Sequence, residues 1–350
     1  MADETRGTVL LALAANLGVA LVKAVGAVLS GSSALASEAA HSVADTLSEV
    51  FLLASLRLGR KPADRTHPFG YGKERFFWSL LAAVGIFVSG AGFSLYQGLT
   101  ALLGAGHGYP SRTEFVVVYV VLAVSLVLEG SSLVKAVRQV RGEAARARRG
   151  LFTYVIRSPD PTVKTVASED SVALVGIVVA FVGTLLHQLT RQEFYDGSAS
   201  LVIAALLGYV AYVLGRDTKE LLIGEAADPM VRLTAYAVIC AHPEVIAVSE
   251  LLTMQLGPDA VLVAARVQFD DELRAREVEE TATAISREMH DRLPELTQVF
   301  LDPSRVSVED GERVARSLAR TAQEVRDTDG EQTLDALRDL RDLRDAGRGD

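Results

Sequence analysis

Four ionisable residues recur along one otherwise apolar stretch of this chain: Glu38, His41, Asp45 and Glu49. At about 100° per residue, they fall within roughly 80° of one helix face. An imidazole and a carboxylate spaced like His41 and Asp45 lie one above the other and can share a cation. Ionisable groups in hydrocarbon cost about 2.5–3.5 kcal/mol each, so they are rare without a function. We predict that this pair binds a divalent metal ion within a membrane.

Two adjacent carboxylates, Glu169 and Asp170, interrupt a later apolar run and are the predicted second half of this metal site. Neighbouring residues do not share a helix face, so only one points directly at the partner helix, and we favour Asp170. One imidazole with carboxylate oxygens suits Zn²⁺, and it also accepts Mn²⁺, Fe²⁺ or Co²⁺. The alternative is a polar network that only fastens two helices together.

The outer members of the stripe have two interpretations each. Glu38 lies one turn from His41 toward the outside, where it is either an exit or proton-relay group or a partner for Lys23. Glu49 lies one turn toward the cytoplasm and is predicted to attract cations. Glu129, in another apolar run, is interpreted as a local pair.

Composition favours a membrane domain joined to a soluble one. The chain has 350 residues, 49% of them hydrophobic, and a mean hydropathy of +0.26, which is too apolar for an average soluble protein. The net charge of −9 does not suggest nucleic-acid binding. With Cys240 as its single cysteine, the chain has neither an internal disulfide nor a cysteine-based zinc site. The first apolar run carries Asn16 and Lys23 and lacks a cleavage site, so it is predicted to be a retained helix.

The hydropathy pattern predicts spanning helices joined by charged loops. The turn Ser30–Gly31–Ser32 is so short that it makes the first two helices an antiparallel hairpin. The second-to-third and fourth-to-fifth loops are rich in Lys and Arg, whereas the others carry only Arg112 and Arg191. The positive-inside rule therefore places both termini in the cytoplasm. We expect the membrane to be a bacterial inner (plasma) membrane. Six segments are long enough to span: Thr8–Leu29, Ala34–Leu56, Phe76–Leu99, Phe115–Val134, Val163–Leu186 and Ser198–Leu214.

The pattern after Arg216 predicts a small α+β layer with one sheet and helices on one face. From Glu309 onward, the chain is charged and lacks aromatic residues, so it is either a solvated, disordered tail or a short partner-binding helix. The predicted elements are helix Met230–Ala241, strands Ala247–Gln255 and Ala260–Phe269, helix Arg274–Leu293 and strand Gln298–Leu301.

The loop after the second helix carries a specific motif, His-Pro-Phe-Gly-Tyr-Gly-Lys-Glu, which begins at His67. With His41-x-x-x-Asp45 and this order of elements, the chain resembles the cation diffusion facilitator family over about residues 8–308. The resemblance implies an α-helical membrane protein with six transmembrane helices (1–216), a ferredoxin-like cytoplasmic α+β domain (217–308) and a tail (309–350). It also implies a transporter rather than an enzyme, which exports Zn²⁺ or a related cation in exchange for protons, usually as a homodimer in lipid.

Three positions depart from the family pattern. Val166 stands where many members have a fifth-helix histidine, while Asp170 matches their aspartate and the Glu-Asp pair resembles one branch. In the loop, Asp64 and His67 match a metal site of some members, but Tyr71 takes the third place. We therefore expect either transient ion capture there or a plain Gly/Pro turn. The cytoplasmic domain matches a family metal site with Glu250 and Asp302 but with few imidazoles, since His242 and His290 are isolated, so we expect dimerisation without strong metal binding.

The predicted mechanism is alternating access. Deprotonated Asp45 and Asp170 with neutral His41 bind the ion from the cytoplasm, and protonation outside releases it because metal and proton compete for the same lone pairs. A membrane metal sensor without net transport and a passive cation channel are the alternatives.

Overall fold

The computed structural model describes residues 2–103, 110–146, 150–305 and 307–329. They divide into two compact units, one of 2–61, 74–103, 110–141 and 161–219, the other of 62–73, 142–146, 150–160, 220–305 and 307–329. In the first unit lie α1 (Ala2–Ser30), α2 (Ser33–Leu58), α3 (Glu74–Gly85), a π-helical segment (Ile86–Gly92), α4 (Phe93–Leu102), most of α5 (Arg112–Arg146), α7 (Pro161–Thr190) and most of α8 (Phe194–Ile223). The second holds α6 (Leu151–Arg157), α9 (Pro229–Ala241), β1 (Val245–Gly257), β2 (Ala260–Phe269), α10 (Ala275–Arg292), β3 (Leu296–Pro303) and α11 (Val308–Asp329).

Within the described part of the chain, four helices are long and apolar enough to cross a membrane: Glu74–Leu102, Arg112–Ala145, Pro161–Thr190 and Phe194–Ile223. Large apolar side chains stay exposed on them, for example Val127 at 70% and Tyr209 at 68%. A surface of this kind suits hydrocarbon rather than water. The described apolar part of α1 is the shorter Asn16–Ser30, and α2 carries the polar stripe, so these two predicted spans are weaker by composition.

Helix α2 is the centre of the first unit, because it packs against α1, α3, α4 and α7. Small residues allow this close packing, as at Gly26, where an added Cβ would lie 3.2 Å from Leu35 Cδ2. The core around it is formed by Leu35, Ile86, Leu122, Ile177 and Leu207, each at most 2% exposed.

The turn before α2 fixes where that helix begins. Gly31 has a φ of 66°, which favours glycine. Ser32 is the N-cap, and its Oγ accepts a hydrogen bond from the Leu35 N–H at 3.2 Å. The buried Asp196 of α8 accepts a further bond from the Ala34 N–H at 3.1 Å and one from Ser32 Oγ at 3.0 Å. The start of α2 is therefore tied to α8.

A three-stranded sheet in the order β1-β2-β3 forms the second unit's core, with β1 antiparallel and β3 parallel to β2. Burial alternates along β2, as a strand covered on one face requires. The covered face packs against α9 and α10, where Ile239, Ile285 and Met289 are fully buried. The predicted α+β layer is confirmed, and α10 is the crossover helix that connects the parallel strands β2 and β3.

A disordered tail was one of the two predictions for 309–350, but Val308–Asp329 form the amphipathic helix α11. Leu318 is 4% exposed and packs on Leu233 of α9, with Val314 and Ala322 beside it. The spacing of Val314, Leu318 and Ala322 places one apolar side chain on the same face in each turn, which explains the packing. The remainder of the predicted tail, 330–350, lies outside the described residues.

Candidate metal site

His41 and Asp45 lie on the buried side of α2 and face each other. Nδ1 of His41 is 3.5 Å from Oδ1 of Asp45, with the side chains 2% and 20% exposed. The helical rise places them one turn apart, as their spacing predicts.

The polar atoms of this pair are buried without hydrogen-bond partners. Both ring nitrogens of His41 and Oδ1 of Asp45 have none among the residues that the structure describes. The same holds there for Oε1 of Glu169. A buried polar atom that lacks a partner costs about 1–3 kcal/mol, so such atoms are rare in folded proteins and indicate a function when they gather.

The two carboxylates of α7 point in different directions, which corrects the expectation that Asp170 faces α2 directly. Glu169 is 8% exposed and lies on the buried face of α7, near Ser48 of α2. Asp170 accepts a hydrogen bond from Ser132 of α5 at 3.3 Å and is more exposed. Glu169 is therefore the α7 carboxylate that lies next to α2.

The candidate ligands lie on adjoining helices but do not form a closed shell. No group of three His, Cys, Asp or Glu side chains in the described residues is arranged to hold a metal ion. Asp45 is nevertheless within electrostatic reach of Glu169, Glu129 and Asp170. The site thus consists of a preformed pair on α2 and separate carboxylates beside it.

Glu38, one of the predicted path residues, is fully buried and paired with Lys23. The Lys23 ammonium lies 3.0 Å from Glu38 Oε2 and 2.6 Å from Glu129 Oε1. Glu38 was interpreted either as an exit or proton-relay group or as a partner for Lys23, and the structure contains the ion pair with Lys23. The sequence analysis treated Glu129 as a local pair, yet its partner is 106 residues away in sequence.

Glu49, which is predicted to attract cations on the cytoplasmic side, accepts a hydrogen bond from the Asn16 side-chain amide at 2.5 Å. Its other oxygen, Oε2, is buried without a partner in the parts of the chain that are described. Glu49 and Glu38 therefore both attach α1 to α2, at points about two turns of α1 apart.

The loop residues Asp64 and His67 are about half exposed and form an internally bonded turn rather than a closed ion site. Asp64 accepts hydrogen bonds from the His67 N–H at 2.7 Å, Thr66 N–H at 2.8 Å and Tyr71 Oη at 2.8 Å. These bonds, the first above all, lower the pKa of Asp64 below its usual value. Tyr71, in the third place of the motif, therefore binds the carboxylate that a metal would need.

In the three-stranded sheet of the second unit, an arginine lies between Glu250 and Asp302, the two carboxylates that matched a family metal site. Arg266 on β2 lies 3.2 Å from Glu250 on β1 and 3.1 Å from Asp302 on β3. A guanidinium there neutralises both acids and opposes a second cation. His242 instead contacts Glu288 at 3.2 Å, and His290 contacts the Ser286 carbonyl at 2.7 Å.

Lys23, Glu129 and Gly176 lie around Glu38, and of these contacts only the Lys23–Glu38 pair was among the interpretations of the sequence. A Cβ at Gly176 would overlap Oε1 of Glu38, so this glycine makes room for the carboxylate. A signal for it exists in the sequence: Ala173, Gly176, Ala180 and Gly183 form a small-residue stripe on the same face as Glu169.

Comparison with known proteins gives a consistent result. The family profile described as the cation efflux transmembrane domain matches residues 9–223. The mitochondrial proton-coupled zinc antiporter SLC30A9 of Xenopus laevis is 34% identical over 252 residues, which cover 71% of this chain and 44% of that protein. Metal tolerance protein C4 of Arabidopsis thaliana is 32% identical over 244 residues, or 70% of this chain and 52% of that protein.

A more distant relative, the manganese efflux system protein MneP of Bacillus subtilis, is 22% identical over 307 residues, or 85% of this chain and 95% of that protein. The chain spans about half the length of the first two relatives. The profile match includes most of α1 and all of α2, as well as the four helices that are long and apolar enough to cross a membrane. The chain belongs to the cation diffusion facilitator family, whose members are divalent-cation transporters rather than enzymes.

Proposed function

We propose that this protein exports a divalent metal ion, with Zn²⁺ as the first candidate, in exchange for protons by alternating access. The single observation that carries the proposal is the set of buried, unpartnered donor atoms on His41, Asp45 and Glu169. Each of these atoms can bind either a metal ion or a proton, and this competition is what an antiporter requires.

The metal site of the proposal consists of His41 and Asp45 with a carboxylate from α7. Glu169 is the nearer candidate because it is buried beside α2, and Asp170 joins if its bond to Ser132 is released. A small approach of α7 to α2 would bring the two halves together around the ion. With two or more carboxylates, the loaded site approaches neutrality, which lowers the cost of burying a divalent ion.

The identity of the metal rests on donor chemistry and on relatives. One imidazole with carboxylate oxygens suits Zn²⁺ and does not exclude Mn²⁺, Fe²⁺ or Co²⁺. One relative is named a zinc antiporter and another a manganese efflux protein. Zn²⁺ is preferred because the zinc-named relative is the more similar of the two.

The proposed setting is a bacterial plasma membrane, with both termini in the cytoplasm and the chain paired as a homodimer in lipid. The positive loops support the orientation. The exposed sheet side chains Leu252 (56%) and Phe300 (50%) support a second copy as partner of the soluble domain. Light scattering of the purified chain, after the mass of the bound detergent is subtracted, tests this pairing. A dimer mass is expected, and a monomer mass would contradict it.

The transport proposal is tested in liposomes that contain a metal-sensitive dye and a pH-sensitive dye. We expect Zn²⁺ flux with opposite proton flux, and an Asp45→Ala variant that loses both. Asp217→Asn is the matched control, since its carboxylate pairs with Lys164 at 3.0 Å on α7 and α8 instead of lying at the metal site. Metal flux without proton flux would support a passive channel, and binding without flux would support a sensor. Undiminished transport by Asp45→Ala would refute the site. Repeating the assay with Mn²⁺, Fe²⁺ and Co²⁺ identifies the preferred ion.

A further inference from the structure

Lys23 is a lysine buried completely within the membrane unit. Its side chain and that of Glu38 are 0% exposed, and that of Glu129 is 17% exposed. The ammonium lies 3.0 Å from one carboxylate and 2.6 Å from the other, and the three side chains come from α1, α2 and α5. A lysine at such a position is stable only because its charge is paired.

The two carboxylates around this ammonium are arranged as ligands of a cation. Each uses one oxygen for Lys23, while Glu38 Oε1 and Glu129 Oε2 are buried without a hydrogen-bond partner in the described residues. Two carboxylate oxygens from two helices therefore lie within 3.0 Å of the ammonium, and each carboxylate keeps a second oxygen with lone pairs to spare. Oxygen-rich sets of this kind bind divalent cations when no ammonium is present.

The neighbouring helix α7 is shaped around the same carboxylate. At Gly176, any side chain would overlap Glu38 Oε1, so the glycine leaves the space that this oxygen occupies. The glycine thus leaves room for the carboxylate in the position where it pairs with Lys23.

We propose that Glu38 and Glu129 form a second divalent-cation site, which the chain keeps filled with its own Lys23 ammonium. Because the ammonium is tethered, it competes at a high effective concentration and excludes a free ion from this position. The transported ion is thereby confined to the His41–Asp45 pair one turn away. This goes beyond the proposed transport function, since it concerns which cation each group of carboxylates binds, and it holds whether or not protons are exchanged.

The test counts Zn²⁺ bound by the purified full chain in equilibrium dialysis. We expect Lys23→Met to bind about one additional ion per chain relative to the unchanged protein, because removal of the tethered charge opens the site. The same gain is expected when His41→Ala and Asp45→Ala are also present, which separates this site from the transport site. Lys23→Met combined with Glu38→Gln and Glu129→Gln should lose the gain.

Lys164→Met is the matched control, because it removes another lysine of the membrane unit that pairs with a carboxylate, Asp217. If Lys23→Met does not stay folded without metal, Zn²⁺ must raise its unfolding temperature more than it raises that of Lys164→Met. The proposal is overturned if Lys23→Met binds no more Zn²⁺ than the control and gains no Zn²⁺-dependent stability. If Lys23→Met binds the extra ion while the unchanged protein shows no proton-coupled transport, only the transport proposal is refuted.

Discussion

The loop motif before α3 contains a glycine whose role can be tested directly. Gly72 lies against the β1–β2 hairpin, where an added Cβ would be 2.5 Å from the Leu256 carbonyl oxygen and 3.0 Å from Gly257 Cα. Non-bonded carbon atoms prefer about 3.5–4.0 Å, so Gly72→Ala forces a backbone shift of about 1 Å. Next to it, the Lys73 ammonium donates to the Leu222 carbonyl at 3.3 Å, which would strain as well.

The expected cost of Gly72→Ala is that of overpacking, about 1–3 kcal/mol. In a unit of about 150–250 residues, each kcal/mol lowers the unfolding temperature by about 2–4 °C, so this overpacking lowers it by about 2–12 °C. Thermal unfolding of the detergent-purified full chain measures this. Gly142→Ala is the control, because its Cβ would meet nothing within 4 Å and alanine is the better helix former.

Gly257→Ala tests the same contact from the other side, since its Cβ would lie 3.0 Å from Gly72 Cα. The double variant with Gly72→Ala should be destabilised by less than the sum of the single variants, because one shift relieves both overlaps. The reasoning is refuted if Gly72→Ala unfolds at the same temperature as Gly142→Ala. The loop glycine would then have no role in packing.

Three further predictions follow from burial and hydrogen bonding. Leu318→Ala, in α11, should destabilise the protein by about 2–5 kcal/mol in thermal unfolding, whereas Arg320→Ala on the exposed side should not. Ser32→Ala should cost about 0.5–2 kcal/mol in the same assay, because it removes the α2 N-cap. The lowered pKa of Asp64 means that its loop bonds hold at neutral pH and break only as pH falls through that lowered pKa, below the usual range of an aspartate. The protection of the His67 amide, measured against its intrinsic exchange rate at the same pH, should fall there, and already at neutral pH in Asp64→Ala, which lacks the acceptor oxygen; undiminished protection in that variant would contradict the assignment.

Local patterns were sufficient for most element positions. Two strands were predicted at Ala247–Gln255 and Ala260–Phe269, and in the structure β1 ends at Gly257 while β2 begins at Ala260. Long apolar runs located α3 with α4, α5, α7 and α8 but not the short α6, and α5 continues to Arg146, beyond the apolar stretch. These features depend on neighbours within a few residues, so periodicity reveals them.

The end of the described chain was harder to predict. The charge and the lack of aromatic residues favoured a disordered tail, but the stripe of Val314, Leu318 and Ala322 gives Val308–Asp329 one apolar face. Low overall hydrophobicity does not prevent folding when such a face finds a partner, here Leu233 of α9.

The sequence by itself determined that His41 and Asp45 share a helix face, because their spacing and the helical period leave no other arrangement. It could not determine whether Glu169 or Asp170 faces α2, since adjacent residues differ by about 100° and the rotation of α7 depends on packing. Nor could it pair Lys23 with Glu38 and Glu129, which lie 15 and 106 residues away. Those choices are made where helices meet, because a charge buried in the low dielectric of a packed interior is costly unless an opposite charge lies beside it.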